Sequence, residues 1–347
     1  MNASISTTPC CTYLLPIRRV RVCETELANF ADYFRLLASA GCEVLVVDGS
    51  PPAIFTENDR AWNGLCRHIT VDPQYPYLNG KVNGIHTGVD KASCEKIVVG
   101  DDDIRYTAEN IARIRALLDQ YEMVRPQNYF YPLPWWARME AGRMLINRGV
   151  LPTGDYPGTC GFQSSTMLRV GHYDGDVLFD NEEMVRHFAV SGANICYAGD
   201  FFIQKLPPTL NKWWEQRPRQ AYEDFIMRFK TALFLALLPV GILLGLVWGL
   251  KVALGYALVV AIASALIALR GRRDGAQQFF PLVICLYAPL WVLERALSVY
   301  WAVYWWLVHG GYPFGDKVLS KGTGRDWVAG RQIPSQPVGH AVSQGSK

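Results

Sequence analysis

Two uncharged apolar stretches in the second half of the sequence limit how this chain can fold. Residues 231–250 contain no Asp, Glu, Lys or Arg, and a second such stretch follows Lys251 over residues 252–269. Each is about as long as a helix that crosses a bilayer, which needs about 20 apolar residues. Because a very short turn separates them, we predict a membrane-embedded helical hairpin over residues 231–269.

Basic residues flank both ends of this predicted hairpin. Arg228 and Lys230 precede it, and Arg270, Arg272 and Arg273 follow it. Lysine and arginine are enriched on the cytoplasmic side of membrane helices, so both ends are expected there. The first residues show no charged segment followed by an apolar one, so no secretory signal is predicted. We expect a multi-pass protein of the inner (plasma) membrane with a cytoplasmic globular domain.

A third apolar stretch, residues 279–308, is interrupted by Pro281, Pro289, Glu294 and Arg295. One alternative is a third span that carries an ion pair inside the membrane. The other, which we favour, is a re-entrant or kinked segment followed by an interfacial helix, because tryptophan and tyrosine are enriched at membrane surfaces. Residues 229–310 thus form a membrane region, and residues 311–347 are expected to be a polar, basic and partly disordered cytoplasmic tail.

Residues 1–228 alternate strand-like with helix-like segments. The strand-like segments are residues 12–17, 43–47, 67–71 and 96–100, and the helix-like ones are residues 26–40, 84–91 and 107–121. This alternation predicts an α/β fold with a parallel sheet and crossover helices. Ligands of such sheets bind beyond the carboxyl ends of the strands.

The composition argues against nucleic acid as a partner. The formal net charge is only +3, and no alternation of basic and aromatic residues is present. Nine cysteines are scattered without a C-x-x-C pair, which predicts free thiols in a reducing compartment.

Three consecutive carboxylates, Asp101, Asp102 and Asp103, follow the apolar segment that ends at Gly100. Side chains two residues apart on an extended chain project to the same side, so Asp101 and Asp103 are expected to face a ligand together while Asp102 points away. Carboxylate oxygens suit Mg²⁺ or Mn²⁺ shared with substrate phosphates. The alternative is an acidic turn before a helix.

Two further residues near predicted strand ends are candidate ligand contacts. Asp48, in Val-Val-Asp-Gly-Ser, is expected to bind the base or ribose of a nucleotide, and the alternative is an Asx-turn. Lys81 lies in a glycine-flanked segment from which its ammonium group can approach a phosphate. The alternative for Lys81 is an ordinary surface lysine.

An acidic cluster, Asp180, Glu182 and Glu183, opens a helix-like segment. Negative charge is favourable at a helix N-terminus, so capping is one interpretation. Three acids exceed what capping needs, however, and one of them is a candidate general base. The preceding residues 158–165 are predicted to be a small-residue loop that holds a polar ligand.

A last motif, Gln216-Arg217-Pro218-Arg219-Gln220, stands shortly before the hairpin. Its guanidinium groups are candidates either for anchoring to lipid headgroups or for binding a leaving diphosphate.

Taken in order, these motifs resemble the membrane-bound branch of glycosyltransferase family 2, which includes ceramide glucosyltransferase-like, cellulose synthase-like and hyaluronan synthase-like enzymes. The resemblance covers about residues 10–310. It implies a GT-A (Rossmann-like nucleotide-sugar-binding) domain over residues 1–228, followed by C-terminal transmembrane helices. Its strongest element is the strand-terminal Asp triplet combined with the later Gln-x-x-Arg.

The resemblance also implies roles for individual residues. Asp48 would bind the base, and Lys81 and Asp102 would lie at the donor. Asp101 and Asp103 would contact the ribose, diphosphate and metal. Gln216 and Arg219 match the family's Gln-x-x-Arg-Trp, with Arg217 inside that motif.

Two features depart from the family pattern. The family usually has Glu-Asp at the helix start that carries its general base, whereas this chain has Phe-Asp-Asn-Glu-Glu over residues 179–183. Asp180 matches the family's base best, and Glu182 and Glu183 are the alternatives. Gln220 replaces the tryptophan of the motif, which weakens any expectation of long-chain processive synthesis.

The sequence therefore predicts an inverting, metal-dependent hexosyltransferase. It would use Mg²⁺ or Mn²⁺ and a nucleotide sugar, with UDP expected, to glycosylate a membrane lipid such as diacylglycerol, ceramide or a polyprenyl-linked sugar. The alternatives are an exopolysaccharide or capsule synthase, a nucleotidyltransferase and a non-catalytic membrane scaffold. The oligomeric state, the sugar and the acceptor are left open.

Overall fold

An eight-stranded mixed sheet forms the centre of the globular half in the computed structural model, which describes residues 11–224, 228–314 and 317–323. The strands lie in the order β3-β2-β1-β4-β7-β6-β8-β5. In chain order they are β1 (Cys11–Ile17), β2 (Cys42–Asp48), β3 (Arg67–Thr70), β4 (Lys96–Gly100), β5 (Ile104–Arg105), β6 (Met123–Phe130), β7 (Thr159–Gln163) and β8 (Ile195–Lys205).

The parallel half of this sheet, β1 to β4, is the part that the sequence predicts. β1 lies between β2 and β4, and β3 pairs with the outer side of β2. Every residue of β1 is buried, as expected for a parallel strand covered on both faces. The direction in which strands are added reverses between β1 and β4, and open α/β sheets bind ligands at such a point. The predicted α/β class is confirmed.

Helices cover both faces of the sheet. Tyr13 and Leu15 of β1 point into one hydrophobic core, and Leu14 points into a second core on the other face. The helices of the globular half are α1 (Glu24–Ser39), α2 (Pro52–Trp62), α3 (Gly80–Lys91), α4 (Ala108–Leu117), α5 (Trp135–Val150), α6 (Ser164–Val170), α7 (Asp180–Val190) and α8 (Leu210–Glu223).

Helix α3 begins earlier than predicted, at Gly80 instead of residue 84. The side chain of Asn79 accepts a hydrogen bond from the backbone N–H of Lys81 at 3.1 Å and so caps the helix. Lys81 therefore lies in the first turn of a helix and not in a loop.

Residues 158–165 do not form the predicted loop. Most of them form β7, which runs antiparallel between β4 and β6. Gly161 allows α4 to pack closely, since a Cβ atom there would lie 2.8 Å from Cδ1 of Ile114. Gly161 thus serves helix packing on the sheet, and Gly158 is the one residue of 158–165 that lines the cleft described below.

Three apolar helices follow the globular half: α9 (Arg228–Trp248), α10 (Leu250–Gly271) and α11 (Ala288–His309). Phe229–Trp248, Leu250–Gly271 and Leu282–His309 are each long and apolar enough to cross a membrane. Gly249 joins α9 to α10 with a φ of 89°, a conformation that glycine adopts at little cost. The predicted helical hairpin is thus present.

Neither proline of the third apolar segment kinks α11. Pro281 precedes a short 3₁₀ turn, Leu282–Leu286, and Pro289 lies in the first turn of α11. Proline is tolerated there because the first N–H groups of a helix have no partner inside the helix. After α11 the chain forms a two-stranded hairpin of β9 (Tyr312–Phe314) and β10 (Lys317–Leu319).

Glycines allow α5 to dock closely on the apolar helices. A Cβ atom at Gly271, the last residue of α10, would collide with the carbonyl oxygen of Leu145. One at Gly142 would lie 3.0 Å from the backbone nitrogen of Ala288. The globular half is therefore held against the apolar helices by direct backbone contact.

We expect Gly271→Val to destabilise this contact. The added side chain would be forced into the backbone of α5, and overpacking of this kind costs about 1–3 kcal/mol or more. Gly255→Val is the matched control because it lies in the same helix with open space around its Cβ position. Thermal unfolding of the detergent-solubilised protein should show a lower Tm for Gly271→Val than for Gly255→Val, and equal Tm values would contradict the expected clash.

Candidate active site

A cleft of about 740 Å³ opens at the carboxyl ends of the parallel strands. Arg18 follows β1, Gly49 follows β2, Val71 follows β3 and Asp101 follows β4, and all four line the cleft. The opposite wall comes from the start of α7, from α8 and from β10. The cleft thus lies where the sheet topology predicts ligand binding.

The Asp triplet lies at the floor of this cleft. Asp101 and Asp103 are half-buried and Asp102 is exposed, as predicted, but the triplet forms a turn and not an extended chain, because the N–H of Ile104 donates to the carbonyl oxygen of Asp101 at 3.0 Å. Lys205, the last residue of β8, approaches Asp103 with a nitrogen–oxygen distance of 3.4 Å. The backbone of Gly158 also borders the triplet, since a Cβ atom there would lie 2.6 Å from Oδ2 of Asp101.

Lys81 joins the triplet to the acidic start of α7. Its Nζ lies 2.5 Å from Oδ1 of Asp101, 2.7 Å from Oδ2 of Asp180 and 3.0 Å from Oδ1 of Asn181. Burial alone would lower the pKa of Lys81, but the two carboxylates raise it well above its usual range. The lysine is therefore a fixed positive charge between two candidate functional carboxylates.

The three candidate bases occupy different environments. Asp180 lines the cleft, with its side chain 9% exposed. Glu182 points into the interior and pairs with the fully buried guanidinium of Arg125. Glu183 is also fully buried and pairs with Arg186 along the helix. The alternatives Glu182 and Glu183 are therefore misplaced for a base, and the geometry favours Asp180.

The prediction that Asp48 binds a nucleotide base is not supported by its position. Its side chain is fully buried, and both of its oxygens accept hydrogen bonds within the protein. Oδ1 accepts from the backbone of Ser50 at 2.8 Å, and Oδ2 contacts Asn58 at 2.8 Å and His68 at 3.1 Å. Burial opposes ionisation, but these hydrogen bonds lower the pKa of Asp48 overall. The alternative, an Asx-turn, is what the structure shows, and the adjacent Gly49 borders the cleft instead.

Helix α8 presents its motif residues on two faces. Gln216, Arg219 and Gln220 line the cleft, as residues three or four apart on a helix share a face. Arg217 points the other way, is buried, and pairs with Glu140 of α5. The prediction that Arg217 contacts the diphosphate is therefore wrong, because its charge is already neutralised inside the protein.

Positive charge exceeds negative charge around the cleft. Among the described residues, six cationic and four acidic side chains line it: Arg18, Lys81, Lys205, Lys212, Arg219 and Lys317 against Asp101, Asp102, Asp103 and Asp180. Such a surplus in a confined cleft attracts anions.

Four of these cations, Arg18, Lys205, Lys212 and Lys317, lie outside the motifs that the sequence predicts to be functional. Lys205 could have been found as the end of a strand, had β8 been predicted. Lys317 gave no local signal, because it reaches the cleft only after the chain has passed through all three apolar helices. Arg18 and Lys212 likewise belong to no motif.

Asp101 and Asp103 fit a divalent cation that is shared with a substrate. Over the described residues, no three His, Cys, Asp or Glu side chains are grouped to hold a metal ion by themselves. Mg²⁺, however, is typically bound by one or two carboxylates together with water and substrate phosphates. Oδ1 of Asp103 is buried and lacks a hydrogen-bond partner within the described residues, which leaves it available as a ligand. Burial raises the pKa of Asp103 to about 6.

The comparisons with known proteins give distant structural similarity. No protein-family model matches the chain, and no curated protein matches it. One similar solved structure is a mannosyltransferase from Pyrobaculum calidifontis in complex with GDP-Man and Mn²⁺. It is 17% identical and has a TM-score of 0.49, and the match covers 85% of this chain and 88% of that one.

A second similar structure is glucosyl-3-phosphoglycerate synthase from Mycobacterium tuberculosis in complex with Mn²⁺ and UDP-glucose. It is 15% identical and has a TM-score of 0.39, and the match covers 59% of this chain and 73% of that one. Membership of glycosyltransferase family 2 stays a prediction, and the proposed function rests on the cleft itself.

We expect Glu182 and Asp180 to respond differently to loss of charge. Glu182→Gln leaves the buried guanidinium of Arg125 uncompensated, and breaking a buried pair in this way costs about 3–5 kcal/mol. Asp180→Asn likewise replaces a carboxylate by an amide, but it does so at the cleft, where Lys81 keeps Asp101 as a partner. Thermal unfolding should show a marked loss of stability for Glu182→Gln only. Equal stability of the two variants would contradict the structural role of Glu182.

Proposed function

We propose that this chain is an inverting, metal-dependent glycosyltransferase. It transfers a hexose or uronic acid from a nucleotide sugar, with UDP as the expected nucleotide, to the hydroxyl group of a membrane lipid. The observation that carries the proposal is the Lys81 bridge. Because Asp101 and Asp180 contact the same nitrogen at 2.5 and 2.7 Å, their oxygens lie within about 5 Å of each other. A diphosphate-binding carboxylate and a general base are thus adjacent in one cationic cleft.

Asp180 is the proposed general base. Its carboxylate would remove the proton from the acceptor hydroxyl as that oxygen attacks the anomeric carbon from the face opposite the nucleotide. Lys81 and Asn181 fix the orientation of the α7 start around this carboxylate. Such positioning matters because proton transfer requires hydrogen-bond distance to the reacting group.

The cations of the cleft would bind the departing diphosphate. Arg219 and Lys205 reach the cleft from α8 and β8, on either side of the Asp triplet. Guanidinium and ammonium groups form strong charge-assisted hydrogen bonds with phosphate oxygens. A Mg²⁺ or Mn²⁺ ion held by Asp101 and Asp103 would supply further neutralisation of the charge that develops on the diphosphate. Stabilisation of this charge is usually the larger share of catalysis.

The membrane acceptor is inferred from the position of α8. This helix lines the cleft with Gln216 and Arg219, and its opposite face packs against α11 through Arg217 and Glu294. The cleft is therefore one helix away from apolar segments that suit a bilayer. A lipid hydroxyl, such as that of diacylglycerol, ceramide or a polyprenyl-linked sugar, is the acceptor that this arrangement favours.

We expect Asp101→Ala to abolish transfer, with activity reduced at least about 100-fold, because the substitution removes a carboxylate needed for metal and diphosphate. Membranes containing the protein would be incubated with radiolabelled UDP- and GDP-sugars, followed by lipid extraction. Addition of EDTA to the parent protein should have the same effect. Asp32→Ala, on the exposed surface of α1, is the control and should retain activity.

The products of this assay test the proposal. Label in the organic phase together with free nucleoside diphosphate is the expected result. Release of pyrophosphate would instead identify a nucleotidyltransferase, and label in an insoluble polymer would identify a polysaccharide synthase. Full activity of Asp101→Ala, or full activity in EDTA, would contradict the metal-dependent mechanism.

We expect Asp180→Asn to lower kcat about 10²–10⁴-fold, the usual contribution of a general base. The amide keeps the size of the side chain but cannot accept the proton. Donor binding, measured by calorimetry with the nucleotide sugar, should persist in this variant because the phosphate-binding residues are unchanged. If donor binding were lost in parallel with turnover, Asp180 would be a donor ligand and not the base.

A further inference from the structure

Helix α11 has the length of a membrane span, but its contacts differ from those of a span. Its 22 residues correspond to about 33 Å at 1.5 Å per residue, close to the thickness of a bilayer core. The two ends of a spanning helix lie at opposite membrane surfaces, so a globular domain on one side can contact one end only. α11 contacts the globular half at both ends and in its middle.

The first contact is at the beginning of α11. The backbone of Ala288 lies against α5, where a Cβ atom at Gly142 would be 3.0 Å from its nitrogen. Just before the helix, the hydroxyl group of Tyr287 accepts a hydrogen bond from Arg138 of α5 at 3.3 Å.

The second contact is in the middle of α11. Nη1 of Arg295 lies 3.1 Å from Oδ2 of Asp224, the residue that ends α8. Nη2 of the same guanidinium donates to Oε1 of Gln220 in α8 at 3.4 Å. Arg295 is 1% exposed, so its guanidinium, one of the two charged groups in this apolar segment, faces the globular half and not lipid.

The third contact is towards the far end. Ala302 belongs to a small buried cluster with Leu178 of the globular half, Tyr222 of α8 and Leu319 of β10. The β9–β10 hairpin after α11 also remains beside α8, because Tyr222 of α8 donates a hydrogen bond at 2.9 Å to the carbonyl oxygen of Ser320, which follows β10. The chain therefore ends α11 beside the cleft and not across a bilayer from it.

The helix against which α11 packs is itself polar. Lys212 and Glu215 of α8 are exposed. Charged side chains are costly in the hydrocarbon region, so α8 belongs in water or at the membrane surface. α11 also contacts α9 near the beginning of that helix, where the hydroxyl group of Tyr300 donates to the carbonyl oxygen of Leu235 at 2.7 Å.

The outer face of α11 is apolar and exposed. It carries a stripe of residues three or four apart that are about half exposed: Leu290, Leu293, Leu297, Trp301 and Tyr304. The opposite face, with Trp291, Arg295 and Val299, is buried. A helix with one apolar face outward and aromatic residues along it suits the boundary between headgroups and acyl chains.

We propose that α11 lies along the bilayer surface on the side of the globular half, with its outer face inserted into the headgroup–acyl boundary. Of the helices within the described residues, α9 and α10 alone then cross the membrane. The occupant of the outer face is the lipid surface, because α11 packs against α9 and α10, whose exposed residues are also apolar. The inference does not depend on the proposed enzymatic activity.

This proposal predicts on which side of the membrane each terminus of the full chain lies. Tags would be attached to the N-terminus and the C-terminus, and protease accessibility would be measured in sealed vesicles of known orientation. With two crossings, both tags lie on one side, and this is the expected result. Tags on opposite sides would mean three crossings and would overturn the proposal.

A depth measurement separates a surface helix from one that dips into the bilayer. A spin label at Leu297→Cys would be compared in lipid nanodiscs with one at Leu258→Cys, an exposed position within α10. The other cysteines would be replaced, and the background would be checked for unchanged thermal unfolding. Collision with oxygen and with a water-soluble nickel complex should place residue 297 much shallower than residue 258. Equal depth would overturn the proposal, and the tag experiment remains decisive if the cysteine-free background does not fold.

Discussion

One ammonium group connects the parts of the chain that form the cleft. Lys81 in the first turn of α3 contacts Asp101 after β4 and Asp180 at the start of α7. Without a cation between them, two carboxylates at this distance would repel each other in a partly buried site. The capped start of α3 fixes the lysine, and the surplus of positive charge around it selects an anionic ligand.

The first half of the sheet could be predicted from sequence, whereas the second could not, for a physical reason. β1, β2 and β4 are buried on both faces and appear as continuous apolar runs. β6 instead carries Arg125, Gln127 and Asn128 as buried side chains. Apart from one hydrogen bond from Gln127 to the neighbouring Pro126, their hydrogen bonds join residues 21 to 75 positions apart, such as the one to the carbonyl oxygen of Ile203. These polar side chains interrupt the apolar run that would otherwise mark β6 as a strand. Their partners are too distant in the chain to leave a local pattern in the sequence.

The same limit applies to the candidate site. Asp101, Asp103 and Asp180 could be identified because strand ends and helix starts are local features. Asp48 also stands at a strand end, but its role depends on His68, which the sequence does not place beside it. Arg217 is directed away from the cleft by Glu140, 77 positions earlier in the chain, so the motif that contains it divides into a cleft-facing and an interior-facing part.

The short segment that follows α11 and β10 has a consequence for the order in which the parts of the protein assemble. Leu178 and Phe179, which immediately precede Asp180, donate backbone hydrogen bonds at 2.9 Å to the carbonyl oxygens of Lys321 and Gly322. Domains generally form from the N-terminus during synthesis. Here the wall beside Asp180 is completed by residues that leave the ribosome after every apolar helix. A nascent chain that has not yet reached residue 322 thus has an unfinished wall beside Asp180, so the cleft is completed only after the helical hairpin of α9 and α10 has been synthesised.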